Sequence, residues 1–411
     1  MNRYHRIDGK TATKDAQNDT MTNRERILAV FEGRPVDRIP WIPRLRLWYE
    51  AHRHEGTLPE EYRDFSLREV EQDLFGGTAA RDGTIFKKEF RGVDIRTSPV
   101  GEMESVTEYI TPIGTLTTRY RGTEELRRQG IKDTQTKFLL NRQEDYAVME
   151  YIIEHTVYSP TFEEYEQYDR EIGEDGYPMV HCGDCPFHYW MQGLAGYDQA
   201  FYHLNDFPET VERLLTMMTD QMKATVWQAM LDSPARLLVH GHHFSSQMTP
   251  PPLFTRYILP YYEELAPQMR ARGKILVLHG DGDTKKILSL IEQAGFGMVE
   301  CFACAPMVSN TLADARTTWG DRVIIWGGIP SNILEAPYTD AQFEQYMDEL
   351  FDTIAPGKAF FLGIADNAMP GSDLKRLRRI REMVEERGKY PVVPIVPVLH
   401  ASQNLSSTSV C

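Results

Sequence analysis

The 411-residue sequence lacks several features that would point to a function class at once. It contains five cysteines, which are too few for a disulfide framework. No apolar run reaches the roughly 18 residues that a membrane-spanning helix needs. Basic residues are in the minority, with 45 Lys and Arg against 60 Asp and Glu, so the net charge is −15. A basic surface for nucleic acid or for an anionic membrane is therefore not expected.

The N-terminal residues also lack the apolar core of a signal peptide. We therefore expect a cytoplasmic protein whose thiols are reduced. Residues 1–20 are polar and are predicted to form a disordered tail, and the Ser-rich residues 396–411 are predicted to form a flexible tail. The remaining residues, 21–395, are expected to form a single domain.

The sequence does contain a repeated alternation of short apolar runs with long amphipathic segments from about residue 178 onward. The amphipathic segments begin at capping residues such as Thr339, and Asp283 or Thr284. Strands that alternate with helices at this spacing are typical of parallel βα units. The apolar runs are PMVHC (178–182), RLLVH (236–240), KILVLHG (274–280), GMVEC (297–301), RVIIWGG (322–328) and KAFFLGI (358–364).

These units predict an α/β fold, specifically a (β/α)8 TIM-type barrel. RIPWIPRLRLW (38–48) is interpreted as the first strand, and one further strand is placed elsewhere to complete eight units. An N-terminal helical elaboration precedes the barrel units, and a β-meander rich in Thr, Tyr and Ile is predicted to be inserted at residues 83–121. An open doubly wound sheet is the alternative. A dinucleotide-binding version is disfavoured because no G-x-G-x-x-G follows the first strand.

Polar residues collect at the ends of the apolar runs, where a parallel barrel carries its chemistry. Five of the 12 histidines lie there. His279 and Glu300 end consecutive predicted strands, and His242 or His243 ends the strand before them. Histidine and carboxylate ligands with an open position are typical of a catalytic zinc site. The structural alternative is a histidine held by backbone hydrogen bonds and a carboxylate paired with an arginine.

Strand alternation separates Glu300 from the neighbouring Cys301. If Glu300 points into the barrel mouth, Cys301 is expected to point toward the helices. The chain has two CxxC pairs, Cys182–Cys185 and Cys301–Cys304, which lie far apart in the sequence. A metal site shared between them is therefore the weaker interpretation, and burial of the thiols is the stronger one. Cys304, in the loop after its strand, stays a candidate ligand.

Five segments in order resemble landmarks of the uroporphyrinogen decarboxylase superfamily, which includes zinc-dependent, corrinoid-linked methyltransferases. The resemblance covers residues 21–390 and implies a (β/α)8 barrel. The segments are TNRERILAVFEGRPVDRIPW, QMTPPPLFTRYILPYYEEL, VLHGDGDTKKIL, WGGIPSNIL and LGIADNAMPGSDLKRL.

The branch of the superfamily is indicated by motifs that the chain does not share. The segment RIPWIPRLRLWYE offers Arg44 and Arg46, but the Gln-Ala-Gly-Arg pattern and the late histidine motif of the tetrapyrrole decarboxylases are absent. Thiol methyltransferases carry His-x-Cys and a later Cys, where this chain has His279 with Asp281 and then Leu362. O-demethylase-type members use carboxylate and histidine ligands more freely and are the better match.

The resemblance therefore implies a zinc-dependent methyltransferase. It would move a methyl group from a small methylated substrate, such as a methyl ether, to a corrinoid (cobalamin) on a carrier protein, and a homodimer would fit the family. The alternatives are a uroporphyrinogen-type decarboxylase without metal, and a non-catalytic barrel that binds a corrinoid or another small ligand. The expected site residues are His279, Glu300 and Asp281 for catalysis; His279, Glu300, His243 and Cys304 for the metal; and Arg44, Trp48, His181, Trp326, Asp366 and Asn367 for the substrate.

Overall fold

The computed structural model describes residues 21–394, so the predictions for residues 1–20 and 396–411 lie outside the described residues. In chain order, the strands are β1 (Phe86–Phe90), β2 (Asp94–Pro99), β3 (Glu104–Thr111), β4 (Gly114–Arg121), β5 (Thr134–Lys137), β6 (Thr156–Pro160), β7 (Met179–His181), β8 (Leu237–His242), β9 (Ile275–His279), β10 (Met298–Phe302), β11 (Ile324–Ile329) and β12 (Phe360–Ile364).

The α-helices surround these strands on the outside and at the N-terminal end of the domain. They are α1 (Asn23–Phe31), α2 (Arg46–Glu55), α3 (Leu67–Phe75), α4 (Glu124–Arg128), α5 (Asp145–Glu154), α6 (Phe162–Ile172), α7 (Pro186–Tyr189), α8 (Tyr197–Asp206), α9 (Pro208–Ala224), α10 (Val226–Asp232), α11 (Pro251–Leu253), α12 (Leu259–Ala271), α13 (Leu288–Gln293), α14 (Leu312–Trp319), α15 (Asp340–Ile354) and α16 (Leu374–Arg387).

The central sheet is parallel and has the strand order β12-β11-β10-β9-β8-β7. Two single-residue parallel bridges extend it, from Trp41 to Leu362 at the β12 edge and from Gly83 to Val180 at the β7 edge. Each apolar run of the sequence coincides with one of the six strands. The alternation of strands and helices therefore predicts the α/β class correctly.

The closed eight-stranded barrel is not found in the described part of the chain. The expected first strand, 38–48, joins the central sheet by one bridge at Trp41, makes a separate antiparallel bridge from Arg38 to Lys389, and enters α2 at Arg46. Pro40 and Pro43 flank the bridge and have no N–H to donate, which keeps this segment from forming a longer ladder. The eighth unit is the equally short segment that bridges at Gly83.

Local capping chemistry sets where the helices begin. Thr339 caps α15 as predicted, and its side chain accepts a hydrogen bond from the Gln342 backbone in a capping box. The prediction that Asp283 or Thr284 opens the next helix is wrong by several residues, because α13 begins at Leu288. The Asp283 carboxylate instead accepts from the backbone N–H groups of Lys285 and Ser309, which holds the loop after β9.

The predicted meander region, 83–121, contains two separate antiparallel arrangements. Strands β2 to β5 form a four-stranded antiparallel sheet in chain order, while β1 pairs with β6. The meander sheet is half-exposed, with β2 exposed along its whole length. The parallel strands are the opposite, since every residue of β10, β11 and β12 is buried. A parallel sheet covered on both faces explains why those strands are continuous apolar runs.

No helix within residues 21–394 combines the length and the apolar character that crossing a membrane requires.

Candidate active site at the carboxyl ends of the parallel strands

The carboxyl ends of the parallel strands bring titratable side chains to one edge of the sheet. β7 ends at His181, β8 at His242 and β9 at His279, while β10 carries Glu300 and Cys301 near its end. Since the carboxyl ends of parallel strands lie on the same side, these side chains can meet. The following loops contribute His243, Asp281 and Asp366, and the flanking segments contribute Arg44 and Arg81. These residues together are referred to below as the rim cluster.

His279 and Glu300 form the buried centre of the rim cluster. They are register partners in the paired strands β9 and β10, and His279 Nδ1 lies 2.6 Å from Glu300 Oε1. Glu300 is 1% exposed and His279 is 4% exposed. An ionised carboxylate can only accept, so Nδ1 of His279 is the donor. The imidazole is thereby fixed with its Nε2 atom on the side away from Glu300.

Arg81 binds the same carboxylate from the other side. Its Nη1 and Nη2 atoms donate to Glu300 Oε2 and Oε1, each at 2.7 Å, in a bidentate ion pair. The Arg81 side chain is 11% exposed, so water screens this pair only weakly. Arg81 cannot be recognised in the sequence as a site residue, because the segment around it is too short to be identified as a strand. In the structure it lies two residues before the bridge at Gly83.

Charge partners decide the protonation of the central pair. Burial raises the pKa of Glu300, but Arg81 and His279 oppose it, and the net pKa lies well below the usual range. Burial lowers the pKa of His279, but the Glu300 carboxylate opposes it, and the net pKa lies well above the usual range. The pair is therefore an imidazolium and a carboxylate in the metal-free protein.

Carboxylates also lie on the Nε2 side of His279. Asp281 Oδ2 is 3.5 Å from His279 Nε2, and Asp366 Oδ1 is 3.9 Å from it. Asp281 also accepts a 2.7 Å hydrogen bond from Nδ1 of His243, whose side chain is 44% exposed. Burial raises the pKa of Asp281, but His243 and His279 oppose it, and the net pKa is lowered. This side of the cluster opens toward solvent through His243.

Cys301 lies in the rim cluster, and the prediction that it points toward the helices is wrong. A bulge between Glu300 and Phe302 in the pairing of β10 with β11 interrupts the alternation. Cys301 has a positive φ of 54° at this point. Gly327 faces the bulge, and a Cβ there would lie 2.6 Å from the Phe302 nitrogen. The turn brings the Cys301 thiol to 3.2 Å from Arg44 Nη1.

Cys304 is placed apart from the rim cluster. Its thiol lies 3.4 Å from the Gly328 carbonyl and 3.2 Å from the Tyr346 hydroxyl. Burial raises the pKa of the Cys304 thiol to about 11, so the thiolate that a metal requires is disfavoured there. Cys182 and Cys185 are also buried and free. The thiol that the fold brings to the cluster is therefore Cys301.

His181 and His242 continue the rim cluster away from Glu300. Arg81 Nη2 lies 3.2 Å from His181 Nε2, and an arginine can only donate, so this nitrogen accepts. His181 therefore carries its proton on Nδ1, which lies 3.1 Å from His242 Nε2. Burial and the neighbouring Arg81 lower the pKa of His181 to about 3, which keeps it neutral. The His242 backbone N–H is held by the buried Asp184 carboxylate at 3.1 Å.

The remaining expected substrate residues fall into two groups. Arg44 donates to Asp366 Oδ1 at 2.7 Å, and Asn367 Nδ2 donates to the same oxygen at 3.1 Å. Trp326 is buried and donates to the Ile42 carbonyl. Trp48 is 2% exposed within α2 and packs on His52. The structure thus brings Arg44, Asp366 and Asn367 together and places the two tryptophans in the packed core.

Backbone strain is concentrated at the same edge of the sheet. Ala80, His243, Cys301 and Asp366 all have positive φ angles between 47° and 63°. A left-handed conformation of a non-glycine residue costs about 1–2 kcal/mol. Four such residues next to one cluster indicate that packing holds the side chains in positions that regular strands would not give.

Residues 183–387, about half of the chain, match the sequence model of the uroporphyrinogen decarboxylase (URO-D) family. The chain belongs to the uroporphyrinogen decarboxylase superfamily. A solved methyltransferase from Methanosarcina mazei is similar to it with a TM-score of 0.52 and 15% identity, over 89% of this chain and 99% of that chain. At this identity the likeness shows the fold. Among curated proteins, no sequence matches the chain.

The donor atoms of this URO-D superfamily member fit a divalent metal ion. Two groups in the described residues offer ligand atoms within 4.8 Å of one another, namely His243, His279 and Asp281, and His279, Glu300 and Cys301. The first group has two imidazoles and one carboxylate, which is a known donor set of catalytic zinc. In the second group, the Glu300 carboxylate already accepts three hydrogen bonds, from Arg81 and His279. The first group is the better metal site on this chemistry.

A cavity of about 560 Å³ adjoins the rim cluster and offers room for a small substrate. Arg44, Arg81 and His181 line it and also belong to the cluster. Its outer wall contains a mixture of charges, with Arg46, Arg68, Glu71 and Asp82. A second cavity of about 570 Å³ lies at the opposite, amino-terminal ends of the strands, near Lys274 and Gly297. The first cavity is the candidate substrate site because it reaches the titratable cluster.

Proposed function

We propose that the chain is a zinc-dependent methyltransferase that takes a methyl group from a small methylated substrate, such as a methyl ether, and passes it to a corrinoid on a separate carrier protein. The observation that carries the proposal is the group of His243, His279 and Asp281 donor atoms at the carboxyl ends of the strands. Three other residues of the rim cluster, Arg44, Arg81 and His181, line a cavity. Membership of the superfamily and the methyltransferase with the same fold support it.

The metal would be held by His279, His243 and Asp281. When bound, a Zn²⁺ ion supplies Lewis acidity, which makes a heteroatom of the substrate a better leaving group. For His279 to be a ligand it must lose the proton that its carboxylate partners now stabilise. Asp281 spans His243 and His279, with its two oxygens on different imidazoles, and so fixes their separation.

Other rim residues would bind and orient the substrate. Arg44 and Asp366 form a 2.7 Å pair at the boundary between the metal-binding group and the cavity. The Asn367 side chain is 4% exposed, and its amide oxygen is a buried acceptor without a hydrogen-bond partner in the described residues. A buried acceptor of this kind favours a ligand or water that donates to it. Arg81 and His181 form the cavity wall next to Glu300.

The direct test is methyl transfer by the purified, zinc-loaded protein. A panel of methyl ethers, methylamines and methyl thioethers is offered with a free reduced corrinoid, and the demethylated product is followed by NMR. We expect turnover with at least one oxygen-linked donor and none with the His279→Ala variant. Absence of turnover with every donor class, with or without candidate carrier proteins, would contradict the proposal.

A metal-free decarboxylase of a polycarboxylate is the second candidate. Arg44, Arg46, Arg68 and Arg81 all line the cavity, and guanidinium groups bind carboxylates well. Their charges are nevertheless offset, since Arg44 pairs with Asp366, Arg46 with Asp82, Arg68 with Asp175 and Arg81 with Glu300. Release of CO₂ from a porphyrinogen by metal-free protein would favour this candidate over methyl transfer.

A further inference from the structure

Three hydrogen bonds already occupy the Glu300 carboxylate. Its Oε1 atom accepts from His279 Nδ1 at 2.6 Å and from Arg81 Nη2 at 2.7 Å, while Oε2 accepts from Arg81 Nη1 at 2.7 Å. Glu300 is only 1% exposed. If a metal displaced Arg81 or His279 from the carboxylate, water could not easily take the place of the lost partner. These contacts disfavour the sequence-based prediction that Glu300 is itself a metal ligand.

A metal on Glu300 would have to lie beside a charge of its own sign. The Arg81 guanidinium stays protonated at any ordinary pH. Its two terminal nitrogens donate to the two oxygens of the Glu300 carboxylate. A divalent cation on the same carboxylate would be repelled by the Arg81 guanidinium, which binds both carboxylate oxygens. Arg81 also donates to His181 Nε2 at 3.2 Å and lies two residues before the Gly83 bridge to β7. These contacts hold the guanidinium where it is.

The opposite nitrogen of His279 has no such obstacle. With Nδ1 donating to Glu300, Nε2 is the nitrogen left for a metal, and the carboxylate of Asp281 is on that side at 3.5 Å. In metal sites, a ligating histidine commonly donates its other ring N–H to a carboxylate, which fixes the ring and raises its basicity. Glu300 has this relation to His279.

We propose that Glu300 and Arg81 are positioning residues rather than ligands. Arg81 holds Glu300, Glu300 orients His279 and fixes its tautomer, and the metal binds on the Nε2 side with His243 and Asp281. The inference rests on the proposed function only for the presence of the metal. It makes its own prediction about ligand identity, which does not depend on which methyl donor is used or on whether methyl transfer is detected.

The test is zinc affinity, measured by competition with a chromophoric chelator, together with X-ray absorption of the zinc-loaded protein. We expect Glu300→Gln and Arg81→Gln each to weaken zinc binding by about 10–100-fold while one ion still binds. The absorption spectrum should show nitrogen and oxygen neighbours and no sulfur. Arg81→Lys should recover part of the affinity, since it restores a cation beside Glu300.

Matched variants separate positioning from ligation and from misfolding. Cys304→Ser should leave the affinity within about threefold, because the Cys304 thiol contacts the Gly328 carbonyl and the Tyr346 hydroxyl, apart from the rim cluster. If single variants do not fold, the Arg81→Gln and Glu300→Gln double variant removes both charges of the pair and is measured instead. Apo-protein melting is recorded for each, and an affinity loss without a matching change in apo stability supports positioning.

Three results from the variants and the spectrum would overturn the inference. They are tighter zinc binding after Arg81→Gln, a zinc–sulfur distance in the spectrum, or loss of zinc from Glu300→Gln as complete as from His279→Ala. No zinc binding by the wild-type protein would also overturn it. Zinc binding as described with no methyl transfer would leave this inference standing and contradict the proposed function alone.

Discussion

Two buried histidines on adjoining strands show how differently the same residue can be used. His240 in β8 is 0% exposed and His279 in β9 is 4% exposed. His240 lies 3.2 Å from the Cys182 carbonyl and 2.9 Å from the Tyr261 hydroxyl, and burial lowers its pKa to about 4. The pKa of His279 lies well above the usual range, because charged Glu300 outweighs burial.

Burial alone therefore does not identify a functional histidine. His240 faces neutral partners in the helix layer and fits the structural interpretation, in which backbone and hydroxyl groups satisfy the ring. His279 faces carboxylates on both of its nitrogens. The partner set separates the two, and each of the following predictions changes one partner or one protonation state.

The largest effect is expected at Asp281, which contacts both imidazoles of the proposed metal-binding group, those of His243 and His279. Asp281→Asn keeps the shape but removes the anionic ligand, so zinc affinity should fall by more than about 100-fold, the upper end for loss of an outer-shell partner. Metal content after dialysis gives the measurement. An Asp283→Asn variant is the matched control, because that carboxylate accepts from loop N–H groups and contacts neither His243 nor His279 in the described hydrogen bonds. Retention of stoichiometric metal by Asp281→Asn would remove this residue from the ligand set.

The same comparison can be made between two buried carboxylates. Glu300 is paired with the positively charged Arg81. Glu71 is also buried, at 5% exposed, but it accepts a 2.5 Å hydrogen bond from the neutral Thr78 hydroxyl. Burial raises the pKa of Glu71 to about 7. Below its unfolded pKa Glu71 is protonated in both states. As the pH rises toward 7, Glu71 loses its proton in the unfolded state before it does so in the folded state. The free energy of unfolding therefore falls by about 3 kcal/mol over this range.

Chemical denaturation at several pH values measures this effect. The difference in unfolding free energy between Glu71→Gln and wild type should shift by about 3 kcal/mol in favour of the variant between pH 4 and pH 8. Glu69→Gln is the matched control on the same helix, since Glu69 is an exposed capping residue. A pH-independent difference for Glu71→Gln would show that Glu71 titrates normally.

Metal binding should expel a proton from His279 and leave His240 unaffected. Because the folded pKa of His279 is raised, the ring is protonated at neutral pH, and zinc affinity should increase by about tenfold for each pH unit until that pKa is reached. Calorimetry in buffers of different ionisation enthalpy counts the released proton. Imidazole NMR signals should show that the His240 ring stays neutral from pH 5 to pH 8, because burial lowers its pKa to about 4. A pH-independent affinity would contradict an imidazolium at His279.

The smallest effect on the site is expected from His240 itself. His240→Leu removes the hydrogen bonds of the buried ring with the Cys182 carbonyl and the Tyr261 hydroxyl, which should lower stability by about 1–3 kcal/mol. Zinc affinity should change by no more than about threefold, because His240 touches no residue of the metal-binding group. Denaturation and chelator competition on one preparation give both numbers. A large loss of zinc would erase the distinction between the two histidines.

The sequence predicts the parallel α/β class and the edge at which the site lies. His279 and Glu300 end consecutive apolar runs, and register pairing of β9 with β10 places them side by side. This much follows from strand order and from the common direction of parallel strands. The roles of the two residues do not follow from order alone, since the position of Arg81 decides which partner Glu300 has.

Two irregularities explain what the sequence cannot predict. Bulges at the ends of β8 and β10 break the alternation, so Cys301 turns into the cluster and His242 becomes the partner of His279. The segments at Trp41 and Gly83 make one bridge each, which is too little regular pattern to be recognised as strands. Arg44 lies three residues after the bridge at Trp41, and Arg81 lies two residues before the bridge at Gly83. Their contacts depend on long-range packing rather than on local periodicity.

The central claim is that one divalent ion binds on the Nε2 side of His279. Crystals of the zinc-loaded protein, with diffraction recorded on both sides of the zinc absorption edge, test it most directly. We predict one anomalous peak about 2.0–2.2 Å from His279 Nε2, His243 and Asp281, with Arg81 still bound to Glu300. A peak between Glu300 and Cys301, or no peak at the rim cluster, would contradict the account.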